Sequence, residues 1–247
     1  MVCRAAHGWG PDGHKIVARI AERHLEAKAA RAVRQILGPD RKLADIASIA
    51  DDVRNEQTGP WHYVNIPISS SVFEGALYCP NNHCVVGAIE RFRDQLKAPG
   101  TSPQAAFEAL YNVVHFVGDM HQPLHCGDRR DRGGNEVKVE FLGKPTNLHR
   151  VWDSGILDFL HMDWEILARK LGKISKSKRS AWSRGSVESW AMESHDLARD
   201  VAYRFQTPAS GPVVLGEAYA RRGGPVVRRQ LAKAGIRLAY VLNQVYR

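Results

Sequence analysis

The sequence predicts a mostly α-helical fold in a single domain, with a small extended or hairpin element. Most of the chain carries apolar residues at helical spacing, one short stretch alternates polar and apolar residues, and no linker or internal repeat divides it. A chain of 247 residues is long enough to bury a sizeable core in one domain. No apolar run approaches the roughly 18 residues of a membrane span, so we expect a soluble or peripheral protein.

The amino-terminal part is predicted to be helical up to a Gly-Pro break. Residues 14–37, rich in Ala, Arg and Glu, predict an amphipathic helix or a closely spaced pair of helices. Residues 43–56 predict a further helix, which ends before Gly59 and Pro60. Residues 61–69 then carry β-branched and aromatic side chains, which indicate a short extended segment.

The remainder of the chain is also predicted to be mostly helical. Ser102 is a candidate N-cap for a helix over 102–121, because Pro103 follows it at the first helical position. Residues 136–143 alternate polar and apolar side chains and predict a short strand or hairpin arm. The basic residues 172–184 predict an exposed loop, with nucleic-acid contact as the alternative. Further helices are predicted over 84–97, 187–205, 216–222 and 226–246.

The net charge and the cysteines indicate which classes of partner and which cellular compartment to expect. The formal net charge of +9 favours polyanionic partners such as nucleic acid or phospholipid surfaces, although such a charge also simply keeps a protein soluble. Cys79 and Cys84 enclose a Pro/Asn-rich turn, so they can form a local disulfide in an oxidising compartment. Two free thiols in a cytosolic loop are the alternative.

The stretch from 111 to 153 carries a pattern of metal-ligand types. His and Asp recur there with spacings that place two His/Asp pairs four residues apart, and on helices each such pair shares one face. Imidazole and carboxylate donors without thiolate suit Zn²⁺ in a catalytic rather than a structural site. The five candidate ligands are His115, Asp119, His125, His149 and Asp153.

Six motifs in order along the chain resemble the zinc-dependent single-strand-specific nucleases. That family includes the fungal nucleases S-one and P-one, mung bean nuclease and the plant bifunctional nucleases. The motifs are WGPDGHKIVARIA (9–21), IADDVR (49–54), WHYVNIP (61–67), HFVGDMHQPLH (115–125), GGNEVKV (133–139) and NLHRVWD (147–153). The resemblance covers residues 9–247. It implies the multi-helix fold shared by zinc phospholipases C and single-strand nucleases.

The resemblance implies a cofactor of three zinc ions. Asp119 is implied to bridge two of them, because the two oxygens of a carboxylate can bind separate metals. Asp51 is chosen over its neighbour Asp52 because the IADDVR register resembles the family pattern. The implied ligands are Asp51, His62, His115 and Asp119 for one zinc; His14, Asp119 and the α-amino nitrogen and carbonyl oxygen of Trp9 for a second; and His125, His149 and Asp153 for the third.

Further residues acquire roles only through the resemblance. Asp119, Asn65 and Arg54 are the implied catalytic residues. Asn65 stands where many family members have an Asp; because an amide cannot act as a base, the metals are expected to generate the nucleophile. Arg54 would grip phosphate, with a solvated surface arginine as the alternative. Finally, Gly133, Gly134 and Asn135 resemble the nucleobase pocket of the family.

Residues 1–8 are interpreted as the remnant of a signal peptide or a mis-assigned start, and 9–247 as the nuclease domain. Trp9 is the first residue of the mature protein in the family, and Ala6 and Gly8 occupy the small-residue positions of a cleavage site. Processing before Trp9 implies a periplasmic or secreted protein. The alternative is a cytoplasmic protein that begins at Met1 and lacks a free amine at Trp9.

The resemblance implies an endonuclease that hydrolyses single-stranded DNA and RNA to 5′-phosphate products, with 3′-nucleotidase activity as a possible addition. Its partners would be single-stranded nucleic acids and nucleotides, and a monomer is expected. A zinc-dependent phospholipase C is the alternative enzyme; such enzymes commonly have Glu at the last ligand, where this chain has Asp153. A non-catalytic nucleic-acid-binding relative is the alternative outside enzymes, supported by Asn65 and the residues before Trp9.

Overall fold

The computed structural model describes residues 8–247, and its helical character confirms the predicted fold class. Cys3 and the rest of residues 1–7 lie outside the described part, so the structure does not test the interpretation of that segment. The α-helices are α1 Pro11–Glu22, α2 Ala27–Leu37, α3 Ile49–Asp52, α4 Gly75–Tyr78, α5 Val85–Lys97, α6 Pro103–Met120, α7 Leu148–Arg150, α8 Ile156–Phe159, α9 Trp164–Leu171, α10 Lys176–Trp182, α11 Val187–Leu197 and α12 Glu217–Val245.

Helix α6 forms the centre of the fold. The Ser102 side chain accepts a 3.3 Å hydrogen bond from the Ala105 backbone N–H, which confirms the predicted N-cap. Nearly all residues of the second half of α6 are buried, because α1, α5 and α12 pack around it. A helix that is apolar on all sides can be enclosed in this way, so its few polar side chains lie in the interior.

A small sheet covers one end of the helical assembly. The strands are β1 Lys138–Phe141, β2 Lys144–Asn147 and β3 Val213–Leu215, in the order β2-β1-β3. Strands β1 and β2 form the predicted hairpin, and its two-residue turn has φ of 51° at Leu142 and 78° at Gly143. Strand β3 pairs in parallel with β1, a long-range contact that the local sequence did not indicate.

Several predicted boundaries need correction. Residues 14–37 form two helices, as one of the alternatives stated, but the single helix over 43–56 was wrong. The chain there makes a 3₁₀ turn over Leu43–Ile46, where Asp45 accepts a hydrogen bond from the Lys42 backbone N–H, and then α3. The two helices predicted around Pro225 are one helix, α12. Pro225 is exposed, so the carbonyl that loses its partner can be hydrated.

Other local predictions were also wrong. The basic segment 172–184 is not an exposed loop but contains α10, which Ser175 caps by accepting a hydrogen bond from the Lys178 backbone N–H. Helix α9 was missed, although Asp163 caps it in the expected manner. The segment 61–69 begins in a 3₁₀ turn, Gly59–His62, and its extended pairing is limited to one bridge, between Pro67 and Asp128.

Of the two alternatives stated for the cysteine pair, the structure has the local disulfide. Cys79 and Cys84 form a disulfide, and Cys126 is a buried free thiol that donates a hydrogen bond to the Met120 carbonyl. None of the helices of residues 8–247 combines the length and the apolar character that crossing a membrane requires.

Candidate metal centre

Helix α6 brings His115 and Asp119 into the interior near its carboxyl end. The two residues are one turn apart, and His115 Nε2 lies 3.1 Å from Asp119 Oδ2. Both side chains are fully buried. An unpaired carboxylate would be very costly at this depth, so the groups that surround Asp119 decide what the site can do.

Three other segments direct polar atoms at Asp119. His14 on α1 lies with Nε2 3.3 Å from Asp119 Oδ1, and its ring stacks on His115 at 3.9 Å between centroids. His62, in the 3₁₀ turn after α3, lies with Nδ1 2.9 Å from the other oxygen, Oδ2. Asp51 Oδ1 lies 3.5 Å from both His62 and His115. The two oxygens of Asp119 thus face different partners, as expected for a bridging ligand.

A second group of donors lies beside the first. His149 Nε2 lies 3.1 Å from His125 Nε2 and 3.5 Å from Asp153 Oδ1. Asp153 lies in a π-helical turn, Val151–Gly155, that continues α7. His125 Nδ1 lies 4.0 Å from Asp119 Oδ1, which joins the two groups. Three sets of donors each converge within 4.8 Å: His14, Asp51 and His115; His62, His115 and Asp119; and His125, His149 and Asp153.

Backbone carbonyls fix the orientation of three of the imidazoles. The Nδ1 atoms of His115, His125 and His149 lie 2.8, 2.6 and 2.7 Å from the carbonyl oxygens of Ala47, His62 and Gly133, respectively. A carbonyl can only accept, so each neutral ring carries its proton on Nδ1 and leaves the Nε2 lone pair facing the centre. This is the arrangement by which outer hydrogen bonds orient metal-binding histidines.

Burial keeps most of these imidazoles neutral. It lowers the pKa of His62 to about 4 and that of His149 to about 3. Burial also lowers the pKa values of His14 and His125. A neutral imidazole has a free lone pair at pH 7, which is the form that binds metal.

The carboxylates of Asp119 and Asp51, in contrast, favour the protonated, positively charged form of His115. Burial opposes charge on His115, but the carboxylates of Asp119 and Asp51 outweigh it and raise the pKa of His115 to about 10. Burial also opposes ionisation of Asp119, but the charges of His115 and His125 hold its pKa well below its usual value. For Asp153, burial dominates and raises the pKa well above the usual value. Bound cations would supply the positive charge that three clustered carboxyl groups require.

The donors fit metal ions by a further criterion. Both ring nitrogens of His14, Nε2 of His62 and Oδ1 of Asp119 are buried and have no hydrogen-bond partner among residues 8–247. Buried polar atoms are normally satisfied, so an unsatisfied group of this kind needs an explanation. Imidazole and carboxylate donors at this spacing fit metal ions such as Zn²⁺.

The chain around Trp9 also reaches the centre. Trp9 is fully buried, and the Gly10 backbone N–H donates a 2.8 Å hydrogen bond to the Asp153 carbonyl. A Cβ added to Gly8 would overlap Asp119 Oδ1 and would lie 3.1 Å from His14 Nε2. The backbone that precedes Trp9 therefore passes against the side chains implied as ligands of the second metal.

The glycine pair 133–134 holds His149 in place. Both residues have positive φ, 61° and 80°, a conformation that favours glycine. The Gly133 carbonyl accepts from the His149 ring, and the Gly134 carbonyl accepts from the His149 backbone N–H. The two glycine N–H groups donate to the carboxylates of Asp128 and Asp131. Asn135 is half-buried and donates to the Arg132 carbonyl, which leaves its side-chain oxygen available to a ligand.

The two other implied catalytic residues occupy different surroundings. The Arg54 guanidinium donates a 3.4 Å hydrogen bond to the Gly59 carbonyl. Its positive charge adds to burial in lowering the pKa of His62, so it acts electrostatically on the centre. Asn65 is exposed, three residues past His62, and its side chain makes no hydrogen bond within residues 8–247.

Two residues of the centre were not identified from the sequence. Gln122 is fully buried, donates a 2.7 Å hydrogen bond from Nε2 to Asp153 Oδ1, and accepts from the Leu124 backbone N–H through Oε1. Gly118 lies against the ring of His14. Both lie among the candidate ligands of the segment 115–125, and this position in the sequence is the signal that could have identified them.

Comparison with known proteins decides the family. The family model described as S1/P1 Nuclease matches residues 9–247. The chain belongs to the S1/P1 nuclease family. Endonuclease 5 of Arabidopsis thaliana is 34% identical over 100% of this chain and 94% of its own length. Nuclease S1 of Aspergillus oryzae is 29% identical over 99% and 94%, and Nuclease P1 of Penicillium citrinum is 30% identical over 96% and 98%.

Membership of the S1/P1 nuclease family agrees with the fold and with the centre. The match includes each segment that supplies a donor, from His14 to Asp153. This S1/P1 nuclease is therefore a phosphodiester hydrolase whose substrates are nucleic acids. The family match favours a nuclease over the alternative of a zinc-dependent phospholipase C.

Proposed function

We propose that this S1/P1 nuclease is an endonuclease that uses three zinc ions to hydrolyse single-stranded DNA and RNA, giving 5′-phosphate products. The convergence of His14, Asp51, His62, His115, Asp119, His125, His149 and Asp153 on one buried centre supports the proposal most strongly. In this assignment Asp51, His62, His115 and Asp119 hold one ion, His14 and Asp119 help to hold a second, and His125, His149 and Asp153 hold a third.

The chain's own residues have three tasks in this reaction. Zinc ions, when bound, supply positive charge that activates a water molecule and stabilises the negative charge on the attacking and leaving oxygens. Asp119 orders the centre because its two oxygens face His14 on one side and His62 and His115 on the other. Arg54 contributes a fixed positive charge for a phosphate group. Asn65 hydrogen-bonds water or substrate but does not act as a base.

Substrate contact beyond the phosphate is assigned to Gly133, Gly134 and Asn135. The backbone groups of the two glycines already hold His149, Asp128 and Asp131, so the side-chain oxygen of Asn135 is the group with capacity for a base edge. An amide oxygen accepts from the exocyclic amino group of a base. The glycines would then form the wall of the pocket and leave recognition to Asn135.

The proposal is tested by metal content and hydrolysis in one preparation. Asp119→Ala is expected to lose bound zinc and activity together, the activity by more than about a hundredfold, which exceeds what loss of an outer hydrogen bond costs. Asp94→Ala, which removes an exposed carboxylate on α5, serves as the control and should match wild type. The measurements are elemental analysis and cleavage of single-stranded DNA, single-stranded RNA and duplex. A fully metallated and active Asp119→Ala protein would contradict the proposal.

Three finer assignments belong to the same proposal. Release of phosphate from 3′-mononucleotides tests the 3′-nucleotidase activity, and light scattering tests the expected monomer.

Cleavage before Trp9, with export to the periplasm or medium, is proposed because Gly8 lies against Asp119 and His14, where a free α-amine of Trp9 would serve as a ligand. Amino-terminal sequencing of native active protein should find Trp9 first, and an intact Met1 would refute this assignment.

A further inference from the structure

A strongly basic hollow lies away from the metal centre, where α9, α10 and α12 meet. Its volume is about 530 Å³. Five cationic residues and Trp182 are the polar and aromatic residues that line it. The cations are Lys170, Lys173, Lys178, Arg228 and Arg229.

The cations of this basic hollow are not paired with carboxylates in the described part of the chain. No Asp or Glu lines it, and within residues 8–247 none of the five forms an ion pair. Elsewhere on the surface, exposed arginines such as Arg199 and Arg221 pair with carboxylates one helical turn or less away. Five like charges around one hollow repel each other, so a polyanion that enters it relieves this repulsion.

The hollow is built on ordered structure rather than on a loose loop. Lys178 lies over the ring of Trp182 at 4.7 Å from the centroid, and the Trp182 carbonyl accepts a 2.9 Å hydrogen bond from the buried Arg237. On the same helix, Arg179 donates to His24 Nδ1, and His24 Nε2 donates to the Gly172 carbonyl. These contacts fix α10 against α1 and α12, so the cations are held close together.

The contacts of His24 also give the position of the hollow relative to the metal centre. His14 lies near the beginning of α1 and His24 just beyond its end. Ten residues of helix correspond to about 15 Å, at 1.5 Å per residue. A strand cleaved at the metal centre can therefore reach the hollow only if it continues for several nucleotides.

We propose that the basic hollow binds the phosphodiester backbone of single-stranded nucleic acid at a distance from the site of cleavage. This inference rests on the proposed function, which makes a polyanionic strand the substrate. An anionic bilayer is the less suitable ligand, because the apolar members of the hollow, Leu171, Ile174, Trp182 and Ala232, are buried or half-buried and offer nothing to insert. Lysine and arginine side chains contact backbone phosphate without reading sequence.

The test compares two triple variants. Lys170→Gln, Lys173→Gln and Arg228→Gln together remove three cations of the hollow while Lys178 stays on Trp182. Lys28→Gln, Arg31→Gln and Arg34→Gln remove three exposed cations of α2, so both variants lower the formal charge of +9 by the same amount. None of these three α2 residues lines the hollow. Circular dichroism checks that both variants fold.

Binding and turnover are measured separately. Fluorescence anisotropy with a hydrolysis-resistant 30-nucleotide phosphorothioate oligo-dT and the zinc-loaded protein should show affinity lower by on the order of tenfold in the hollow variant, with a salt slope smaller by about two. With zinc present, KM for the 30-mer should rise while kcat/KM for a dinucleotide stays at the wild-type value. The α2 variant should match wild type in each measurement.

The other outcomes are equally informative. Equal losses in the two variants, or no loss in the hollow variant, would overturn the proposal. It would also fail if the hollow variant lost binding to vesicles of phosphatidylserine and phosphatidylcholine but kept its affinity for oligo-dT, which would indicate a membrane ligand. A wild-type protein that hydrolyses neither substrate would contradict the proposed function, whereas the binding comparison would still decide whether the hollow is a site.

Discussion

Gly118 lies so close to His14 that a Cβ at position 118 would lie 2.7 Å from Nδ1 and 3.0 Å from Cε1 of the imidazole. The contact is possible only because residue 118 has no side chain. It allows the His14 ring to stack on His115 and to reach Asp119, and so joins α1 to the centre on α6. A helix-destabilising residue therefore occupies the last turn of the central helix.

Gly118→Ala should separate stability from function. Alanine favours the helix by about 1 kcal/mol over glycine, but its methyl group displaces His14 from the centre. We expect a folded protein with less bound metal and activity lower by tenfold or more, measured by elemental analysis and by cleavage of single-stranded DNA. Gly224→Ala in α12, where an added Cβ makes only an ordinary 3.5 Å contact with Leu160, is the control for a helical glycine outside the centre. Unchanged metal content in Gly118→Ala would show that His14 is not a ligand.

Asp51 and Asp52 provide a test of the register that was chosen from the sequence. Asp51 is one-tenth exposed and lies 3.5 Å from His62 and His115, whereas Asp52 is exposed at the surface. Asp51→Asn should therefore lower metal content and activity, and Asp52→Asn should leave both unchanged. The two substitutions are chemically identical, so the comparison isolates position. The reverse result would place Asp52 in the centre.

Gln122 is expected to position Asp153. Gln122→Met keeps the size of the side chain but removes the hydrogen bond to Asp153 and the acceptor for Leu124. Loss of such an outer contact typically lowers metal affinity or activity by about 10- to 100-fold. Gln95→Met, which removes a hydrogen bond to the Ala105 carbonyl far from the ligands, is the matched control. A role limited to folding would lower the melting temperature and leave metal affinity unchanged.

Removal of metal should destabilise the fold. The carboxyl groups of Asp51, Asp119 and Asp153 lie together in the interior, and a ligand that binds only the folded state adds about 2.7 kcal/mol at a hundred times its dissociation constant. We therefore expect EDTA to lower the melting temperature of the wild type by several degrees. In Asp119→Ala the shift should be much smaller. Equal shifts in the two proteins would argue against a bound metal at Asp119.

The disulfide is expected to contribute to stability without taking part in the reaction. Cys79 and Cys84 are five residues apart, and closing so short a loop stabilises the folded state by about 2 kcal/mol in the chain-entropy model. Replacing both with Ser should lower the melting temperature by about 4–8 °C and leave activity at 25 °C unchanged. The reductant tris(2-carboxyethyl)phosphine, which does not carry thiols that bind zinc, should reproduce the effect in the wild type and have none in the double variant.

The sequence was sufficient for those features that depend on local pattern. Helical spacing identified α1, α2, α5 and α6, and the N-cap at Ser102 followed from residue type alone. Alternation identified the β-hairpin. The spacing of His115 to Asp119 and of His149 to Asp153 indicated metal ligands, because residues four apart on a helix share a face whatever lies around them.

Tertiary structure decided the features that depend on distant partners. Strand β3 exists because β1 pairs with it from some seventy residues away, and Pro225 is tolerated in α12 because it faces solvent. Likewise, only packing shows that Gln122 orients Asp153 and that α10 completes a basic hollow with α9 and α12. A sequence specifies which side chains can bind metal or phosphate. Which of these side chains come together depends on how the helices bury their apolar faces against each other. The free energy of that burial is a sum over the whole core, so it cannot be read from a local stretch of sequence.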